Sequence, residues 1–165
     1  MIDPARHVVA TSEDMHALGV EFGSRLSAGD VVVLTGPLGA GKTTLTRGIG
    51  EGLGVRGPVQ SPTFVIARTH PSLVGGPPLV HVDAYRLGDA REFDDLDLDL
   101  ERSVVVVEWG RAVVATVVAE WIDIEITRPT GGSGSAEPGD VRDEDEVRDE
   151  PRVVVVSGGS SVPRG

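Results

Sequence analysis

Apolar positions in this chain follow two different periods, and the switches between them mark its elements. Met15, Leu18, Phe22 and Leu26 recur at spacings of three and four, which is one face of a helix. Thr11 stands ahead of them as an N-cap, with Asp14 three residues on in a capping-box-like position. Val31, Val32, Val33 and Leu34 then form an unbroken β-branched-rich run, which suits a buried strand of a parallel sheet. Leu45, Ile49 and Leu53 return to helical spacing, and Gly54 reads as the C-cap.

The rest alternates in the same way. Residues 7–10 predict a short edge strand. Residues 64–69 and 79–85 predict two strands joined by a loop rich in Pro and Gly, as in a hairpin, with His81, Asp83 and Tyr85 on one face. A helical turn is expected from Arg91, followed by an acidic, solvated Leu/Asp alternation up to Leu100. Val104 to Val107 are four valines of a buried strand that ends in the acid Glu108. Residues 112–119 predict a short helix. Residues 121–127 alternate strictly as a half-buried strand, with 152–157 as its hairpin partner. Helix and strand in alternation predict an α/β fold, and 165 residues predict a single domain.

Composition narrows the function classes. With no cysteine, neither a disulfide framework nor a thiolate metal site is available. No apolar run approaches membrane-spanning length and the first residues lack a signal-peptide core, so a cytoplasmic protein is expected. The net charge of −11 opposes independent binding to nucleic acid. More than half of it, −6, lies in residues 137–150. Residues 129–151, Gly/Ser-rich and then acidic, are expected to be a disordered excursion of the last hairpin, and 158–165 a small polar tail.

The chemistry concentrates in Gly36-Pro37-Leu38-Gly39-Ala40-Gly41-Lys42-Thr43-Thr44, a G-x-x-x-x-G-K-T pattern between the predicted strand and helix. Its glycines allow successive backbone N–H groups to line one concavity at a helix N-terminus, which favours a phosphate. Lys42 is placed to reach the β/γ-phosphates of a nucleotide, and the Thr43 hydroxyl to ligate Mg²⁺. In such sites the loop hydroxyl shares the cation with an acid at the end of an apolar strand. Glu108 and Asp83 both meet that description. Glu108 has the purer apolar run before it and is favoured as the metal ligand, leaving Asp83 to orient water or sense the γ-phosphate, or to be a polar residue of a half-exposed strand. Thr63, on the stiff Ser61-Pro62-Thr63 turn, is either a switch-like hydroxyl or a local turn hydroxyl. His81 reads as a structural histidine, since no second His or Cys lies at ligand spacing. Trp109 is either a core side chain or a partner contact.

Four ordered motifs now stand together: the phosphate loop, Ser61-Pro62-Thr63-Phe64, His81-Val82-Asp83-Ala84-Tyr85-Arg86-Leu87 and Val107-Glu108-Trp109-Gly110. In this order and spacing the chain resembles the TsaE (YjeE) family of bacterial tRNA threonylcarbamoyladenosine biosynthesis, over about residues 12–109 and more loosely in the final hairpin. The resemblance implies a single P-loop NTPase domain with a central mixed, largely parallel sheet and a C-terminal β-hairpin. It implies ATP binding and hydrolysis with Mg²⁺, work with the partner proteins TsaB and TsaD, and contact with tRNA only through that complex. Carried over, Gly36, Leu38, Gly39, Ala40, Gly41, Lys42, Thr43 and Thr44 hold the nucleotide. Thr43 and Glu108 hold Mg²⁺, and Lys42, Asp83 and Thr63 serve hydrolysis. Thr11 and an arginine of the last hairpin approach the nucleotide, with Arg152 the candidate and Arg148 the alternative. Two departures stand out. Pro37 replaces an acid common in the family, at a position that offers only backbone, and the long acidic insert is atypical.

Rival functions fit less well. A small-molecule P-loop kinase needs a lid rich in arginine, and the 15 basic residues show no such cluster. A GTPase needs an N-K-x-D, which is absent. A non-enzymatic nucleotide-dependent adaptor is the remaining alternative. The insert generates its own test. Replacing residues 129–151 with a two-residue turn is expected to keep the melting temperature within a few degrees, and a large loss by thermal denaturation refutes the reading.

Overall fold

Among the described residues, seven strands and four helices form near where the apolar periods place them. The computed structural model describes residues 2–59, 66–128 and 151–160. In chain order the elements are β1 (Ala5–Val9), α1 (Ser12–Arg25), β2 (Val31–Thr35), α2 (Lys42–Leu53), β3 (Ala67–His70) and β4 (Leu79–Asp83). A 3-10 turn (Ala84–Arg86) leads to α3 (Ala90–Asp94), β5 (Val104–Glu108), α4 (Arg111–Val117), β6 (Glu120–Thr127) and β7 (Arg152–Ser160). Thr11 caps α1 as expected, its Oγ1 accepting the Asp14 N–H at 3.1 Å.

The strands make one sheet in the order β1-β7-β6-β2-β5-β4-β3. Its centre, β6-β2-β5-β4, is parallel, and the flanking pairs β1–β7, β7–β6 and β3–β4 are antiparallel. Side chains of the central strands alternate between two cores, which is why their sequences are apolar throughout. Val32, Leu34, Val104, Val106, Ile124 and Ile126 pack on the side of α1 and α2. Val31, Val33, Val80, Val82, Val105 and Val107 face α3 and α4 through Phe93 and Val114. The result is a three-layer α/β/α domain.

The contact between α1 and α2 is closer than side chains allow. A Cβ on Gly19 or Gly23 of α1 would collide with the backbone carbonyls of Leu45 and Ile49. Reciprocally, one on Gly48 or Gly52 of α2 would meet the carbonyls of His16 and Val20. Each helix thus presents glycines four residues apart, on the same face, to the backbone of the other. Interior glycines cost a helix about 1 kcal/mol each relative to alanine, so their recurrence here reflects packing.

Several boundaries differ from the sequence expectations: β1 runs over Ala5–Val9 and not 7–10, and the ends of β4 and β7 differ for local reasons. β4 stops at Asp83 because its Oδ1 accepts the Tyr85 N–H at 3.1 Å and caps the 3-10 turn. Tyr85 is therefore turned out of the His81–Asp83 face and is 78% exposed. β7 does not give way to a tail at Gly158 but continues to Ser160, pairing along the whole of β6. Its small residues have a use there, because a Cβ on Gly159 would lie inside the indole of Trp121 across the ladder. β3 begins at Ala67, and residues 64 and 65 of the expected strand, like most of the 129–151 insert, lie outside the described residues.

The helix contact makes a quantitative prediction. Gly48→Ala is expected to lower the unfolding free energy by about 3 kcal/mol, the upper range for overpacking, seen as a fall in the urea midpoint. Gly76→Ala, which meets only Ser72 Oγ at 3.7 Å, is expected to stay within about 0.5 kcal/mol.

Candidate functional site

Parallel register brings the candidate residues to one edge. Leu34 at the end of β2 lies opposite Glu108 of β5, and Glu108 lies opposite Asp83 of β4. Ligands of open α/β sheets bind at this carboxyl edge. The chain leaves β2 there and turns through Gly36 to Gly41 into α2. Gly36 passes so close to β6 that a Cβ would come within 2.9 Å of the Ile126 carbonyl. Gly39 and Gly41 take φ of +74° and +106°, the left-handed region open to glycine. Leu38 projects into solvent, Ala40 is buried, and Thr43 and Thr44 are half-buried in the first turn of α2.

The start of α2 carries no negative charge and no side-chain cap: its N-cap is Gly41, and its first turn holds no acid. Its N–H groups and the helix dipole are thus left for an external anion. Lys42 is folded back over the loop, Nζ donating to the carbonyls of Gly36 (2.8 Å) and Pro37 (3.1 Å). The same ammonium lies 4.7 Å from the ring centroid of Trp109. Trp109 reaches it from a left-handed conformation, φ +60°, held by its N–H to the Leu34 carbonyl at 3.0 Å. Tyr85 packs edge-on against that indole at 6.3 Å. Trp109 is 42% exposed, so of its two sequence readings the structure favours the surface one.

Behind the loop lie the acids. Glu108 is 7% exposed and His81 is completely buried. His81 Nε2 is 3.5 Å from Glu108 Oε1, close enough for an ion pair, yet neither atom has a hydrogen-bond partner. Asp83 is more open. Besides capping the 3-10 turn it faces Arg86 Nε at 3.8 Å. Among the described residues no three His, Cys, Asp or Glu side chains form a metal cage. One buried carboxylate and one hydroxyl oxygen suit Mg²⁺, which commonly takes one or two carboxylates and completes its sphere with phosphates and water.

Other candidates are placed as follows. Thr11 caps α1, and Arg152, opposite Val9 at the start of β7, is 2% exposed on the face covered by α1 and α2. Thr63 and Arg148 lie outside the described residues. Arg128 joins the site without being among the sequence candidates. It follows β6, and its Nη2 approaches the Gly39 carbonyl at 3.4 Å. Only the β2–β6 pairing brings it to the loop, and no local pattern encodes that pairing. A cavity of about 380 Å³ lined by Arg56, Arg68 and His70 lies at the opposite edge of the sheet, apart from this site. Burial there, then the nearness of His81 and Arg68, hold the His70 imidazole below its ordinary pKa.

Comparisons with known proteins agree with this architecture. The family model described as "Threonylcarbamoyl adenosine biosynthesis protein TsaE" matches residues 9–134. A tRNA threonylcarbamoyladenosine biosynthesis protein TsaE from Streptomyces coelicolor is 61% identical over 120 residues, covering 71% of this chain and 81% of that protein. Its counterpart from Mycobacterium leprae is 50% identical over 125 residues, covering 70% and 78%. The crystal structure of Bacillus subtilis YdiB is similar with a TM-score of 0.65 and 27% identity, over 95% of this chain and 87% of that one. No helix among the described residues is long and apolar enough to cross a membrane.

Proposed function

Because the chain belongs to the TsaE family of tRNA threonylcarbamoyladenosine biosynthesis, we propose that it binds ATP with Mg²⁺ and hydrolyses it in support of that modification. The observation that carries this reading is the bare, lysine-bearing start of α2 beside a buried carboxylate in register with β2. N–H groups of Gly39 to Thr44 cradle the phosphates. Lys42 exchanges the Gly36 and Pro37 carbonyls for β/γ-oxygens. Thr43 and Glu108 hold the cation, which when bound neutralises charge on the phosphates. Asp83 retains one carboxylate oxygen beyond its cap bond and orients the attacking water, and Thr63 serves the same step. Arg128 extends a second positive charge over the loop, and Thr11 and Arg152 border the site from α1 and β7.

The chain is strongly acidic, with a net charge of −11, which opposes independent binding of tRNA. Its nucleotide state therefore acts through other proteins, and we assign that role to TsaB and TsaD. Trp109 and Tyr85 form an exposed aromatic pair directly over Lys42. Movement of Lys42 onto phosphate strips the indole of its cation and changes the surface a partner meets.

Three measurements test this function. Lys42→Ala is expected to weaken ATP binding roughly 100-fold by isothermal titration, the loss of a charged hydrogen-bond set; wild-type affinity and phosphate release would overturn the nucleotide reading. Glu108→Gln is expected to lower Mg²⁺-dependent ATP binding more than Asp83→Asn, which instead lowers turnover, since a ligand acts in the ground state and water positioning in the transition state. Exchanged phenotypes would reverse the two roles. Hydrolysis is expected to be slow alone and faster with TsaB and TsaD. Trp109→Ala should lose that stimulation while ATP affinity changes only a few-fold; fast turnover indifferent to partners would point to a self-sufficient enzyme.

A further inference from the structure

His81 is the least explained polar side chain of the interior. It is completely buried, and neither ring nitrogen has a hydrogen-bond partner. Buried polar groups left in this state cost on the order of 1–3 kcal/mol each. Across from it, Glu108 has the same problem at one oxygen only. Oε1 is sealed from solvent without a partner, whereas Oε2 is not sealed in this way. The two orphaned atoms face each other, His81 Nε2 at 3.5 Å from Glu108 Oε1. The sheet fixes their relation: His81 lies opposite Val106 in the parallel β4–β5 ladder, and Asp83 opposite Glu108 two residues later. His81, Asp83 and Glu108 thus share the sheet face on which α2 packs.

We propose that His81 is a positioning residue for the cation site. Its Nε2–H takes Oε1 of Glu108 and leaves the other carboxylate oxygen directed to the metal beside the phosphate loop. A shortening of a few tenths of an ångström converts the present 3.5 Å approach into a hydrogen bond. Fixing one oxygen sets the carboxylate plane, so the ligand needs no reordering when a cation arrives. Partners of this kind behind metal ligands commonly change metal affinity 10–100-fold when removed. This role rests on Glu108 being a metal ligand, and the test separates the two assignments.

The experiment compares His81→Gln and His81→Asn, whose amides have similar polarity but different reach. The Gln side-chain nitrogen falls near the place of Nε2, and the Asn nitrogen near that of Nδ1. Mn²⁺ binding to the ADP complex is read by electron paramagnetic resonance, metal-free ADP affinity by calorimetry, and folding by thermal melting. His81→Asn is expected to weaken Mn²⁺ binding about tenfold, with His81→Gln near wild type and metal-free ADP affinity unchanged in both. Wild-type Mn²⁺ binding in both variants, or equal weakening in both, overturns the inference, because neither depends on a donor at the Nε2 position. Glu108→Gln is the control. If it binds Mn²⁺ like the wild type, the ligand assignment itself fails and the role of His81 falls with it.

Discussion

The backbone-to-backbone contact of α1 and α2 is the constraint on which the site depends. α2 begins with Lys42 and Thr43, so wherever the helix is seated, the phosphate loop is seated too. Glycines at 19, 23, 48 and 52 let the two helices approach until main-chain carbonyls occupy the space of absent side chains. Such a contact has little compliance, since no rotamer change can relieve it. It fixes the axis of α2 relative to that of α1. Gly50 completes the seat, because a Cβ there would overlap the Val59 side chain.

From that seat the sheet supplies the remaining geometry. Parallel pairing of β2 with β5 and β5 with β4 aligns Leu34, Glu108 and Asp83 in one row. Short of that row β2, β4 and β5 are apolar except for the fully buried His81, and the row itself carries Glu108 and Asp83. Part of the cost of the arrangement falls on His81 and Glu108, which join Lys42, Thr46, Ser103 and Arg152 as buried polar side chains among the described residues. Polar interruptions of a valine-rich sheet are where folding and function have different requirements.

Much of this was legible because it is encoded locally. The Thr11 cap, the phosphate loop between strand and helix, and the acid ending the valine run each depend on residues within a few positions of one another. What was not legible depends on contacts distant in sequence. Glycines of α2 look like poor helix formers until α1 is laid against them. Arg128 looks like a loop residue until β6 is paired with β2. Pairing with β6 turns Gly158 and Gly159 from an apparent tail into strand, with Gly159 set against the Trp121 indole. Tyr85 departed from its expected face for the opposite reason, a short-range bond from its own N–H to Asp83 that outweighed the two-residue period. The place of Arg152 was likewise a question of pairing, since only the β1–β7 ladder sets it beside Val9 and the start of α1.

Lys42 gives the phosphate loop a property that its donors alone do not convey. Its ammonium already holds two carbonyls and an aromatic face. On the proposed function, capturing a nucleotide is therefore an exchange reaction, in which existing bonds to neutral oxygens are traded for bonds to anionic ones. Only the difference between them contributes to affinity. A ligand with a single phosphate recovers little of what Lys42 gives up. Each further phosphate adds charge-assisted bonds with no second displacement. On that reading, a preference for polyphosphates over monophosphates follows from the resting conformation of one side chain.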